Sequence, residues 1–250
     1  MWPMATLWKP DPSRGVFETM LVVRGEPVAL PAHLARIEAS LEVLYGAGLP
    51  APAARRIPEQ AASLELGRLR LTVAPGESAG LAFEVEAGPL DPSLHFPPDP
   101  VSLRSHPVAG GLGCHKWVDR AAIPPRPAGE APLLVDGGEV LEAGWANVFA
   151  VRGGTLFTPP LDGRILPGVT RATVSELARA ERLETIERPL SLQDLRGAEE
   201  VFLTNSIRGI ESVGSVDGSP IPGERNLTAL LSSALRSRWG LAKPAPAPAS

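Results

Sequence analysis

Residues 140–178 read VLEAGWANVFAVRGGTLFTPPLDGRILPGVTRATVSELA, and this stretch passes from strand-like to helix-like sequence. Residues 147–151 are an apolar run that suits a strand, whereas residues 170–182 carry the spacing of a helix. Between them, in ILPGVTRATV, Gly168 permits close backbone approach and Val169-Thr170 open the helix. The N–H groups and dipole of a helix N-terminus suit a dianion. The same residues would also serve as an ordinary turn into a helix capped by Thr170.

Working outward, residues 16–23 have β-rich composition, end at Arg24-Gly25-Glu26-Pro27, and resume at 28–30, which predicts a hairpin. A helix follows, with Pro31 at its first position, Leu34, Ile37, Leu41 and Leu44 at helical spacing and Gly46 just past its end. Residues 68–74 alternate and are joined by PGESAG to 81–87, a second hairpin. Five prolines make residues 88–100 irregular, and 101–106 read as one more strand. Further strands are predicted at 133–135 and 201–204, with a last helix at 225–238. The pattern predicts an α+β protein of two lobes: an N-terminal lobe over 1–107, a linker over 108–114 and a C-terminal lobe over 115–242. The tail, 243–250, is KPAPAPAS and is expected to be disordered.

Composition narrows the function. The net charge of -4 and the lack of a Lys/Arg cluster argue against nucleic acid and against a polybasic membrane patch. No run of eighteen apolar residues spans a membrane, and the start lacks the pattern of a signal peptide, so a cytoplasmic protein acting on a small molecule is expected. One cysteine and four histidines argue against a disulfide framework and a metal site. Only Lys9, Lys116 and Lys243 stand beside 21 arginines. Two of these lysines lie near the chain ends, which are usually solvated. Lys116, in GLGCHKWVDR (111–120), follows the predicted linker, where a cleft between lobes would form a ligand site. Read alone, it is more readily a surface lysine that begins a helix.

The stretch 140–178, together with RGVFETMLV, PAHLARIEASL and VFLTNSIRGIESV, closely resembles the class IV aminotransferases, the fold-type IV pyridoxal-phosphate enzymes. The likeness runs over nearly the whole chain and implies a cofactor cleft between the two lobes and a homodimer. It implies that Lys116 carries pyridoxal 5'-phosphate as a Schiff base and moves protons, and that Glu142, in Glu142-x-x-x-x-Asn147-x-Phe149, partners the ring nitrogen. An amine partly deprotonated near neutral pH and an acid at that nitrogen are what such chemistry requires. By the same resemblance Arg36, in HLAR, binds the phosphate with Gly168, Val169, Thr170 and Ser206. On a helix, His33, Arg36 and Ser40 share one side beside the apolar stripe, so Arg36 can point inward. On the first strand only one of Phe17 and Glu18 can face a cleft. Cys114 and His115 read as local packing.

Two details lean towards a lyase. Lys116-x-x-Asp119-Arg120 resembles a pattern common in aminodeoxychorismate lyases, as does the Asn205-Ser206 run. A substrate with two carboxylates would use arginines, and Arg120 and Arg208 are the candidates. The alternatives are a D-amino-acid or branched-chain aminotransferase and, from another class, a noncatalytic cofactor-binding protein. Retention of Lys116, Glu142 and Arg36 together argues against the last.

Overall fold

The computed structural model describes residues 8–76, 80–125 and 127–241. The expected tail at 243–250, Lys243 and part of the PGESAG turn lie outside them.

The first sheet has the order β2-β1-β3-β4, built from β1 (Val16–Val23), β2 (Glu26–Pro27), β3 (Leu66–Pro75) and β4 (Leu81–Pro89), all antiparallel. Arg24 and Gly25, both with positive φ, form the two-residue turn between β1 and β2. Helix α1 (Leu30–Tyr45) ends at Gly46, whose φ of 61° is the left-handed conformation that terminates helices. Ile37 and Leu41 of α1 pack with Met20, Leu69 and Leu71. Helix α2 (Ala51–Ala61) completes that core. Its three prolines, at 50, 52 and 58, hide it from the sequence, although Ala53, Ile57 and Ala61 sit four residues apart and are buried.

The second sheet is larger. It runs β10-β9-β8-β12-β13-β5-β6-β7-β11, with β14 paired to β13. Its strands are β5 (Val101–Pro107), β6 (Glu130–Asp136), β7 (Glu139–Ala143), β8 (Asn147–Arg152), β9 (Thr155–Thr158), β10 (Thr185–Glu187), β11 (Leu190–Ser191), β12 (Glu200–Asn205), β13 (Gly209–Val216) and β14 (Ser219–Pro220). Helices α3 (Val169–Ala180) and α5 (Asn226–Arg238) bury Val174, Leu177, Leu231 and Leu235 with Phe149 and Phe202 of the sheet. The short α4 (Leu192–Arg196) is held by a capping box between Ser191 and Asp194.

Two expectations change. The strand expected to resume at 28–30 does not form, because Arg24 and Gly25 alone close the turn: β2 is Glu26–Pro27, and Leu30 already opens α1. The strand placed last in the N-terminal lobe, β5, pairs in parallel with both β13 and β6 and so lies inside the second sheet. A parallel central strand finds its partners far away in sequence, which local pattern does not reveal. Leu21 and Val23 of β1 join the core of the second sheet, so the two lobes share packing across the cleft. Among the described residues no helix is long and apolar enough to cross a membrane.

Candidate active site

A cavity of about 360 Å³ opens between the lobes, within the range of small-molecule sites. Phe17 and Thr19 of β1 line it, since alternate strand residues share a face. Glu18 points the other way, into α1. There its carboxylate accepts hydrogen bonds from Arg36 Nε at 2.7 Å and Nη2 at 2.7 Å, and lies 2.7 Å from His33 Nδ1. Burial opposes the Glu18 charge, but His33 and Arg36 outweigh it and hold the carboxyl down at about 2. Arg36 also donates through Nη1 to the Pro167 carbonyl at 2.8 Å, fastening α1 to the turn before α3. Its remaining N–H groups are available at the cavity wall.

Lys116 is placed by backbone pairing. Phe17 N–H donates to the Lys116 carbonyl at 2.9 Å, Val118 N–H donates to Gly15, and Val16 bridges Trp117, so the segment runs along β1. His115 meets Ser40 of α1 at 3.0 Å and Trp117 edge to face, which supports the packing role expected for it; Cys114 is exposed. The Lys116 side chain enters the cavity beside the Phe17 ring, 5.0 Å from its centroid. Burial, then Arg36 and Arg120, push its amine down to about 7. Such an amine holds a substantial neutral fraction at physiological pH, which a nucleophile requires.

Glu142 ends β7 on the opposite wall and is buried. Burial pushes its carboxyl up to about 8, against the Leu166 N–H, which lies 3.3 Å away, and the nearby Arg120 and Lys116. Asn147 explains part of the motif it closes. Its Nδ2 donates to the Leu166 carbonyl at 2.9 Å and approaches Glu142 at 3.4 Å, so one amide braces both the acid and the turn into α3. A Cβ on Gly168 would collide with the Asn147 amide oxygen. Phe149 stacks on Phe202 and anchors the strand.

α3 begins at Gly168 with no side-chain cap, so its first N–H groups, Val169 and Thr170 among them, are available beside the cavity. The alternative of an ordinary turn capped by Thr170 is not what forms. Instead Thr170 Oγ1 lies 3.2 Å from Ser206 Oγ, which brings the turn after β12 to the same end of the cavity. The nearby Thr204 hydroxyl is buried and has no hydrogen-bond partner among the described residues.

The two candidate substrate arginines part company. Arg120 lines the cavity, reaches the Gly144 carbonyl only at 3.4 Å, and makes no ion pair with a carboxylate among the described residues. Arg208 is turned away and held by Glu211 through Nε at 2.8 Å and Nη2 at 2.7 Å. The turn at residues 205–209 presents Asn205, Ser206 and Ile207 to the cavity, and Arg208 leaves it. Asp119 braces the backbone, accepting from Ala121 and Asp11 outside the cavity.

Sequence reasoning missed Glu18 and Thr204 as site residues. An acid inside the apolar strand VFETMLVV, facing a helix with His33 and Arg36 three apart, was the available signal for Glu18. Thr204 carried none.

The buried Thr204 hydroxyl, unpartnered among the described residues, an uncapped helix N-terminus and a partly satisfied arginine together fit a phosphorylated ligand. An amine near neutrality and a buried carboxyl opposite fit pyridoxal 5'-phosphate. The amino-transferase class IV family pattern matches residues 15–109 and 118–216. A 4-amino-4-deoxychorismate lyase from Pseudomonas aeruginosa is similar in structure, with TM-score 0.78 and 29% identity over 94% of this chain and 96% of that one. A hypothetical aminotransferase from Mycobacterium tuberculosis, in a PLP-bound form, superposes with TM-score 0.80 at 22% identity over 96% and 95%, a likeness of fold. Branched-chain aminotransferases are similar over shorter stretches. The Escherichia coli enzyme is 41% identical over 81 residues, 32% of this chain and 26% of that one; the mitochondrial Arabidopsis thaliana enzyme is 40% identical over 80 residues, 32% and 21%. The chain thus spans about a quarter of those relatives' length. With the family pattern matched over well more than half of its residues, the chain belongs to the class IV aminotransferases, a family of enzymes that depend on pyridoxal 5'-phosphate.

Proposed function

We propose that the protein is a pyridoxal-phosphate-dependent lyase that converts 4-amino-4-deoxychorismate to 4-aminobenzoate and pyruvate. The observation that carries this reading is Arg120, a guanidinium at the cavity wall with no carboxylate paired to it among the described residues. Arg120 is half-buried and its hydrogen bond to the Gly144 carbonyl is long, so its guanidinium keeps donors that an anionic substrate can use. The lyase substrate has two carboxylates. Arg208, held by Glu211, is not part of the reading.

In this reading Arg36, Gly168, Val169, Thr170 and Ser206 hold the cofactor phosphate, Glu142 faces the ring nitrogen, and Lys116 holds the aldehyde carbon. When bound, the cofactor withdraws electrons from the amine-bearing carbon of the substrate. Lys116 Nζ would take the proton from that carbon, the bond between the substrate ring and its enolpyruvyl oxygen would break as the ring becomes aromatic, and the proton would pass to the departing enolate, which leaves as pyruvate. An acid is needed at Glu142 because a carboxylate opposite the ring nitrogen keeps that nitrogen protonated. Arg120 fixes a substrate carboxylate, so that the breaking bond is presented to Lys116. A homodimer and a cytoplasmic location belong to the same reading.

The second reading is an aminotransferase acting on branched-chain or D-amino acids, favoured by the 41% identity to the Escherichia coli branched-chain enzyme over part of the chain. Incubation with aminodeoxychorismate and no keto acid separates the two. A lyase releases pyruvate and 4-aminobenzoate in equal amounts over many turnovers. Sustained turnover of D-alanine or a branched-chain amino acid with 2-oxoglutarate, and none of aminodeoxychorismate, establishes the aminotransferase instead.

A further inference from the structure

The proline-rich segment between the two sheets carries His95, which does not itself line the cavity. His95 is buried, and its Nδ1 lies 2.6 Å from the carbonyl of Ile207. The acceptor is a carbonyl, so Nδ1 carries the proton. Nε2 has no hydrogen-bond partner among the described residues, and the ring is stacked on Trp239, which follows α5, with centroids 5.7 Å apart. The next residue repeats the attachment. Phe96 takes a positive φ of 48°, which is costly for a residue with a bulky side chain. Its N–H donates to the Arg208 carbonyl at 3.0 Å. Its ring fills the space where a Cβ on Gly209 would sit, with the Arg236 guanidinium 4.2 Å above it.

Residues 205–209 are thus gripped from two sides. From within, Asn205 Oδ1 accepts from the N–H groups of Ile207 and Arg208, and its Nδ2 donates to the Trp145 carbonyl at 2.7 Å. From behind, His95 and Phe96 hold the next two carbonyls. The cavity side of this turn presents Asn205, Ser206 and Ile207, and Ser206 meets Thr170 at the start of α3.

We propose that His95 is a positioning residue: its Nδ1–H latches the Ile207 carbonyl and so holds Ser206 against the α3 N-terminus in the geometry that receives the cofactor phosphate. This rests on the assignment of that end of the cavity to the phosphate. A hydrogen bond to a buried carbonyl fixes the turn more sharply than apolar packing alone, because loss of the donor leaves the carbonyl unpaired and frees the backbone to rotate. A turn that is correct only part of the time weakens binding by the fraction of time it is wrong.

The test is affinity of the apoprotein for pyridoxal 5'-phosphate and for pyridoxal, which lacks the phosphate, measured by absorbance titration. His95→Phe keeps a ring on Trp239 and removes the donor. His95→Gln places its amide near Nε2 rather than Nδ1. His95→Asn loses the ring but carries an N–H close to the position of Nδ1. The expected result is a preference for the phosphorylated ligand that falls about five- to tenfold in the Phe and Gln variants. The Asn variant is expected to keep most of that preference even though it melts lowest. A preference that follows melting temperature across the three variants, or that none of them alters, overturns the latch while leaving the phosphate assignment standing. A wild-type protein that binds both ligands equally overturns the phosphate assignment and the latch with it.

Discussion

Replacing Glu18 with Gln removes a charge from the inner end of the Arg36 clasp and keeps nearly the same shape. In the folded protein the Glu18 carboxyl sits at about 2 instead of its ordinary 4.5, because His33 and Arg36 outweigh the cost of burial. A carboxyl lowered on folding adds stability that is complete above the unfolded value and is lost as pH falls towards the folded one. The difference corresponds to about 3 kcal/mol at neutral pH, and roughly half of it remains at pH 3. Removal of one member of a buried charged cluster points to a similar size, since Arg36 and His33 then lack their anion. Glu18→Gln is therefore expected to unfold at lower denaturant than the wild type at pH 7, by about 3 kcal/mol, with the gap shrinking to roughly half of that at pH 3. Chemical denaturation of both apoproteins across that range measures it. A gap that is absent at pH 7, or that stays constant down to pH 3, would refute the assignment of the stabilisation to the ionised carboxylate.

Glu142→Gln is expected to load cofactor nearly as well as the wild type but to turn over roughly a hundredfold or more slowly, since the ring nitrogen loses its acid; steady-state kinetics on the loaded variant decide it, and turnover near the wild-type rate would remove Glu142 from that role. Gly168→Ala should force the Asn147 amide away from the Leu166 carbonyl, lowering stability by about 1–3 kcal/mol and weakening cofactor binding. Thermal melts with and without cofactor report both effects, and an unchanged melt in both would show that the approach of Gly168 to Asn147 is not constrained.

Local sequence carried the parts of this fold that local forces build. The stripe and terminal glycine of α1 and the start of α3 at Gly168 are decided by neighbours in the chain and were readable; the hairpin after β1 was read too, but with its turn over 24–27 and its second strand at 28–30 instead of at Glu26–Pro27. α2 was hidden because its prolines look like breaks, although two of them sit at or before the first turn, where no N–H is needed. β13, the strand between β12 and β5, was not read at all, since its Ser, Gly and Glu content breaks the apolar pattern and its pairing comes from strands distant in sequence. In the site, Lys116, Glu142 and Arg36 were found because family motifs mark them, and the structure brings all three to one cavity. Arg208 and Arg120 look alike in sequence, and what separates them is Glu211, three residues along β13, whose carboxylate holds the first.

The account rests above all on Lys116 as the covalent seat of the cofactor. Borohydride reduction of the cofactor-loaded protein, followed by proteolysis and mass spectrometry of the peptides, reads that directly. The predicted result is one phosphopyridoxyl group on Lys116, lost in Lys116→Ala; a tag on Lys9 or Lys243, or no tag on a protein that has taken up the cofactor, would contradict it.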